Sequence, residues 1–193
     1  MDLILLQFGE EDFANSSWRS GGPISDENRT ALVNSPLGVD LNPDNCTELV
    51  SIHQGIRQQV TTDVSNSART SGRPVISEFT CVKYVDPNSP KMYDYCLRAR
   101  TLDSEATRPT MIFVLRNSGG QFSLVMQYEL RNALISEIQF QSHPDDAPTE
   151  QFKLNFTEII WRHQAGDKDL NTEGTVSAGW SVARNRPINP DYS

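Results

Sequence analysis

Three histidines, three cysteines and one run of Asp and Asn are the residues whose types could do chemistry here. His53, His143 and His163 could ligate a metal or shuttle protons near neutral pH. None belongs to an HExxH pair, and none stands near a cysteine at zinc-ligand spacing. They read as structural or solvent-exposed side chains. Cys46, Cys81 and Cys96 are odd in number and form no CxxC pair. They read as free thiols, two of them within apolar patterns, in a reducing compartment. Asp40-x-Asn42-x-Asp44 imitates the start of a calcium loop, but Asn45 stands where that loop needs Gly and Ser51 where it needs Glu. The run reads as an Asx-rich turn. Carboxylates are numerous enough for a glycosidase-like pair, yet nothing in the sequence selects one. No P-loop, GxSxG elbow or GxGxxG is present. No metal or cofactor is expected, and a structural or binding role is favoured over an enzyme.

The elements that carry these residues read mostly as strands. Residues 1–8 form a first strand. Residues 9–47 are rich in Ser, Asn, Asp, Gly and Pro and read as a surface insert, with Ser25 able to cap a short helix running to Val33. Residues 48–60 make a second strand with a possible bulge at Gly55. Residues 61–73, TTDVSNSARTSGR, are polar and breaker-rich, hence a projecting loop. Residues 78–96 read as a strand covered on both faces, a Pro-broken turn and a helix start. Asp86-Pro87-Asn88 stops the strand because Pro has no N–H to donate. Ser89 then serves as N-cap, with Pro90 at the first helical position. Met92, Tyr95, Cys96 and Ala99 share one helical face.

Residues 110–116 and 121–130 flank Asn117-Ser118-Gly119-Gly120 as a hairpin. Residues 130–138 read as a bulged strand. Phe152, Leu154 and Phe156 alternate with polar residues at the period of a half-buried strand. Ile159–Trp161 continues it, residues 175–182 close the sheet, and the tail at 187–193 is expected to be loose. About eight short strands and one helix predict a mainly β chain, an antiparallel barrel or sandwich. Trp180 is expected in the core. Trp18, in the insert with little apolar company, is expected to dock on a neighbour or a partner.

The chain has 193 residues and a formal net charge of −8. An acidic surface disfavours nucleic acid, whose phosphates recruit Lys and Arg, and an anionic membrane face. No apolar run approaches the ~20 residues of a membrane span. The start, MDLILLQFGEED, has an acid at position 2, no basic region and no cleavage site, so it reads as a strand rather than a leader.

Four blocks, in order, resemble one family. They are residues 1–9, then PVISEFTCVKYVDPNSPKM (74–92), with a Lys-Tyr-x-Asp turn and a Ser-Pro helix start. TMIFVLRNSGGQFSLVMQYELRNALISEIQF (110–140) follows. The last is the pair TEQFKLNFTEIIW (149–161) and GTVSAGWSVARNR (174–186). Together they resemble the haemolysin-coregulated protein (Hcp) family, the tube protein of type VI secretion. Two features depart from its pattern: the long insert at 9–47, and the Ser/Asn/Arg-rich loop at 61–73 in place of a Gly-rich run.

The resemblance implies one small antiparallel β-barrel with a flanking helix. It also implies homohexameric rings stacked into a tube, with sheath, spike and baseplate proteins as partners and small effector proteins in the lumen. The subunit would reside in the bacterial cytoplasm before firing and leave without a signal peptide. On this reading the loop bearing Val64, Arg69 and Arg73 is the candidate contact between stacked rings. Two other readings stay open: the tail tube of another contractile particle, and a monomeric β-sandwich binding module. The latter calls for a surface row of aromatics that the sequence does not display.

Overall fold

The computed structural model describes residues 2–13, 23–35, 37–62, 69–103, 108–166 and 172–190. The strands are β1 (Leu3–Gln7), β2 (Cys46–Leu49), β3 (Ser51–His53), β4 (Ile56–Arg57), β5 (Val60–Thr62), β6 (Arg69–Ser71), β7 (Val75–Ile76), β8 (Phe79–Tyr84), β9 (Thr110–Ser118), β10 (Gln121–Arg131), β11 (Leu134–Gln141), β12 (Thr149–Asn155), β13 (Glu158–Gly166), β14 (Thr172–Ser181) and β15 (Arg186–Ile188). The helices are α1 (Asp26–Val33) and α2 (Ser89–Leu97). Strands β15-β14-β13-β10-β9-β1-β2 form a seven-stranded sheet and β11-β12-β8-β3 a four-stranded one, while β4-β7 and β5-β6 pair as short ribbons.

The chain is mainly β and antiparallel, as expected. The described strands form two open sheets rather than one closed ring of hydrogen bonds. They are also more numerous than predicted: the run expected at 48–60 is divided among β2, β3, β4 and β5, and the chain breaks where it changes sheet. Val50 hands it from β2 to β3, and Asn132, at φ +52, turns it from β10 into β11. Asn tolerates that left-handed backbone better than most residues. Such corners are how strands pass between packed sheets.

Alternation in the central strands builds two cores. In β1, Leu3 and Leu5 face one cluster while Leu6, with Phe8 beyond it, faces the other. In β9, Phe113 and Leu115 lie opposite Ile112 in the same way. Strand β10 changes sides by a bulge between Leu124 and Met126. Phe122 and Leu124 therefore join the cluster of Leu3, whereas Leu130, of the same parity, joins that of Leu6. One extra residue flips every later side chain to the opposite face.

The second core explains the insert. Residues 9–47 were expected to be mostly surface loop, yet Phe13, Ile24, Leu32 and Leu37 are buried. Ile24, Leu32 and Leu37 cover the outer face of β1, β9 and β10. Phe13 stacks on Phe8 at 4.0 Å between ring centroids. Few apolar residues suffice, because each is a single anchor on a sheet that is already apolar on that side. Helix α1 starts as predicted, with Ser25 Oγ accepting from Asn28 N at 3.2 Å. Trp18 lies outside the described residues.

The tail at 187–193, expected to be loose, instead supplies Pro187 and Ile188 to β15, paired with residues 179–181 of β14. Pro is tolerated because β15 is an edge strand, so one side of its backbone has no ladder to serve. Two glycines mark close approaches. A Cβ on Gly179 would meet Ile188 Cγ1 at 2.7 Å, and one on Gly9 would lie 2.0 Å from the carbonyl oxygen of Arg108. The second contact is with backbone, which cannot rotate away. Gly9→Ala is expected to lower the unfolding free energy by about 1–3 kcal/mol. An unchanged urea midpoint for this variant would refute the close packing of these two segments.

Candidate functional site: a lysine-pinned helix start and a projecting ribbon

The turn between β8 and α2 is tied together by a buried ion. Lys83 and Glu150 are both fully buried and sit opposite each other on β8 and β12. Lys83 Nζ lies 3.1 Å from Glu150 Oε2, 2.9 Å from Asp86 Oδ1, 2.9 Å from Ser89 Oγ and 3.1 Å from the carbonyl oxygen of Tyr84. Ser89 Oγ donates to Glu150 Oε2 at 2.7 Å and accepts from Asp86 N at 3.1 Å. Asp86 also accepts from Asn88 N at 2.8 Å and from the Thr47 hydroxyl, and Tyr93 donates its hydroxyl to Glu150. The network joins β2, β8, α2 and β12. Burial, aided by the Glu150 contact, pushes the Tyr93 phenol up to about 12.

Ser89 was expected to be the N-cap. The cap is Asn88, with no side-chain cap bond, and Ser89 is the first helical residue. Its hydroxyl is committed to the ion network instead. Ser89 and Lys83 have the proximity of a nucleophile and its activator. Every bonding direction of Ser89 is already taken, though, so the pair serves packing rather than attack. Strand β8 was expected to be covered on both faces, but only Phe79, Cys81 and Lys83 point inward, and Tyr84 and Val85 are exposed.

In the stretch predicted as a loop at 61–73, the described residues 61–62 and 69–73 continue a β-ribbon that begins at Gly55. Ile56 pairs with Ile76, Arg57 with Val75, Val60 with Ser71 and Thr62 with Arg69. Ser77 N donates to Gly55 O at 2.9 Å and Gly72 N to Gln59 O at 2.8 Å. Ile56, Val60 and Val75 are each more than half exposed. Exposed Arg73 donates to the carbonyl oxygen of Val182 at 3.0 Å, which ties the ribbon to the body. Arg69 sits in β6 beyond it, and Val64 lies outside the described residues. Trp180 packs partly buried against the main core.

A groove runs beside β2. Asp2, Asp26, Glu48 and Asp86 line it together with exposed Val50, Tyr84 and Val85, and no Lys or Arg is among its described lining residues. Burial pushes the Glu48 carboxyl up, against the opposing pull of its hydrogen bonds to Ser25 and Asn28.

The residues read as possible metal or thiol chemistry have simpler roles. Cys46 and Cys81 are buried and Cys96 half-buried, all three free, and burial pushes the first two thiols up. Asn42 Oδ1 accepts from Asp44 N at 3.0 Å at the start of a short 3-10 turn, Pro43–Asn45. Arg29 pairs with Asp44 at 2.5 Å. The calcium-like run is therefore an Asx turn with its acid paired. Among the described residues, no three His, Cys, Asp or Glu side chains gather as a metal site, and no helix is long and apolar enough to cross a membrane.

The family model described as "Type VI secretion system effector, Hcp" matches residues 40–163. No curated protein matches. Among solved structures, one titled as a type six secretion system protein superposes with a TM-score of 0.72 at 14% identity, covering 97% of this chain and 100% of that one. Hcp1 from Salmonella typhimurium superposes at 0.63 and 15% identity, covering 97% and 99%. A type VI secretion system effector from Yersinia pestis gives 0.52 and 13%, covering 93% and 99%. At these identities the likeness is one of fold.

Proposed function

This chain belongs to the Hcp family and is a structural subunit of the type VI secretion tube, and from that premise we propose that six copies close into a ring and that rings stack. The observation that carries the ring is a pair of sheet edges open among the described residues, each with one exposed large apolar side chain. Strand β15 pairs with residues 179–181 of β14, and among the described residues no other strand pairs with the rest of that edge, where Val176 is exposed. At the far side of the other sheet, the β11 edge exposes Phe140. A lone chain with such edges invites pairing. Two different edges suit head-to-tail contacts, which close into a ring when the rotation allows.

The ribbon is the contact between rings, through Ile56, Val60 and Val75 together with Val64, Arg69 and Arg73. Trp18 of the insert docks on a neighbouring subunit. Sheath, spike and baseplate proteins surround the tube, and small effectors occupy its lumen. The subunit waits in the cytoplasm and is exported with the tube.

Light scattering at two salt concentrations tests the ring. A mass of six subunits, with rings in negative stain, is the expected result. The six-subunit fraction should rise with salt, which screens repulsion between acidic copies. Val176→Glu is expected to shift the mass toward monomer, because it places a charge on the open edge. A wild-type chain that stays monomeric at high concentration would overturn the tube reading.

A further inference from the structure

We infer that the acidic groove beside β2 is the socket that receives the ribbon of another copy of this chain; the inference rests on the tube reading and names the ribbon's partner. The first argument is chemical fit. The groove offers exposed Val50, Tyr84 and Val85 flanked by the carboxylates of Asp2, Asp26 and Glu48, with no cation among its described lining residues; the fourth acid, Asp86, is already paired with Lys83. The ribbon offers exposed Ile56, Val60 and Val75 and carries Arg57, Arg69 and Arg73 against the single acid Asp63. In a chain with 25 acids to 17 bases, the ribbon is a basic island. Apolar contact with opposite charges around it gives affinity and steers encounter.

The second argument is placement. The ribbon begins at Gly55, five residues past Val50, and its described side-chain bond to the body is made elsewhere, from Arg73 to the carbonyl oxygen of Val182. None of the described residues that line the groove belongs to the ribbon. A socket and an arm whose described residues do not meet within one chain are free to pair between copies. Such a contact is heterologous and propagates, as a stack of rings requires.

The test uses rings prepared separately from two chains, both with Cys96→Ser. One carries Val60→Cys or Val75→Cys on the two sides of the ribbon; the other carries Val50→Cys in the groove. The rings are mixed under mild oxidation and the linked peptides identified by mass spectrometry. A ribbon–groove link is expected, and because the rings were formed apart, it must join different rings. Arg57→Glu on the ribbon chain is expected to cut its yield about tenfold, a loss within the span measured for close interfacial charge pairs. Glu48→Lys on the groove chain should then restore it. Rings of six that form normally, yet give no such link with either ribbon cysteine, overturn the socket and leave the tube reading standing. A link insensitive to both charge reversals overturns the electrostatic match. Failure of the wild-type chain to form rings overturns both readings.

Discussion

Lys83→Met is expected to destabilise the fold by about 3–5 kcal/mol, the range found when one partner of a buried ion pair is removed. Lys83 Nζ is the cation that Glu150 Oε2 and Asp86 Oδ1 both face, at 3.1 and 2.9 Å. Methionine nearly preserves volume, so the loss comes from charge. Glu150 would be left buried with hydrogen bonds from Ser89 and Tyr93 but no counter-ion. Against a typical total of roughly 5–15 kcal/mol the change is large, and for a chain of this size it lowers the melting temperature by roughly 6–20 °C. The double variant Lys83→Met/Glu150→Leu removes both buried charges and is expected to lose less than the single one. Asp86 keeps its partners Asn88 N and Thr47. Urea unfolding of both variants decides the matter. A single variant within 1 kcal/mol of wild type would show that the network contributes no more than a surface pair.

That network was half legible in the sequence. The Lys-Tyr-x-Asp and Ser-Pro segments stood out as a strand stop and a helix start. The role of Lys83 did not, because strand β8 was read as apolar on both faces. Parity carried the missing signal. Lys83 has the parity of Phe79 and Cys81, and Glu150 that of Phe152 and Leu154, so each strand puts one charge of opposite sign on its buried face. Period-two counting over apolar residues passes over such a pair, since a charge is normally taken as the outward residue. The paired residues of β8 and β12 also lie 65–75 positions apart in the chain, from Tyr84–Thr149 to Phe79–Leu154, and no local pattern announces them.

The insert and the ribbon were hidden for different reasons. In the insert, Ile24, Leu32 and Leu37 are too widely spaced to form a periodic run. They become anchors only because β1, β9 and β10 are apolar on a second face, and that is a tertiary fact. In the ribbon, β6 is Arg-Thr-Ser and β4 only Ile-Arg. Strands that short, polar on an exposed arm, lack alternation to detect, and Gly72 and Pro74 read as breakers. By contrast, α1 and the hairpin around Gly119 and Gly120 were visible, since their capping serine and positive-φ glycines are local requirements.

The ribbon is also where the largest effect on assembly is expected. Replacing residues 58–74 with Asn-Gly keeps the base pairs Ile56–Ile76 and Arg57–Val75 and closes them with a two-residue turn suited to a hairpin. Among the residues of 58–74 whose burial is described, none belongs to either core cluster. The segment's bond to the body through Arg73 and Val182 is exposed, so stability should fall by no more than about 1 kcal/mol. The trimmed chain is therefore expected to fold, to form rings of six through its open edges, and to fail completely at stacking and export. Light scattering reads the ring, and negative stain at high concentration reads the stack. Appearance of the chain in the medium of a strain with a working secretion machine reads export. Stacking and export at wild-type levels would show that rings meet through another surface. A trimmed chain that unfolds would show that the ribbon belongs to the body of the protein and is not an arm held out for a neighbour.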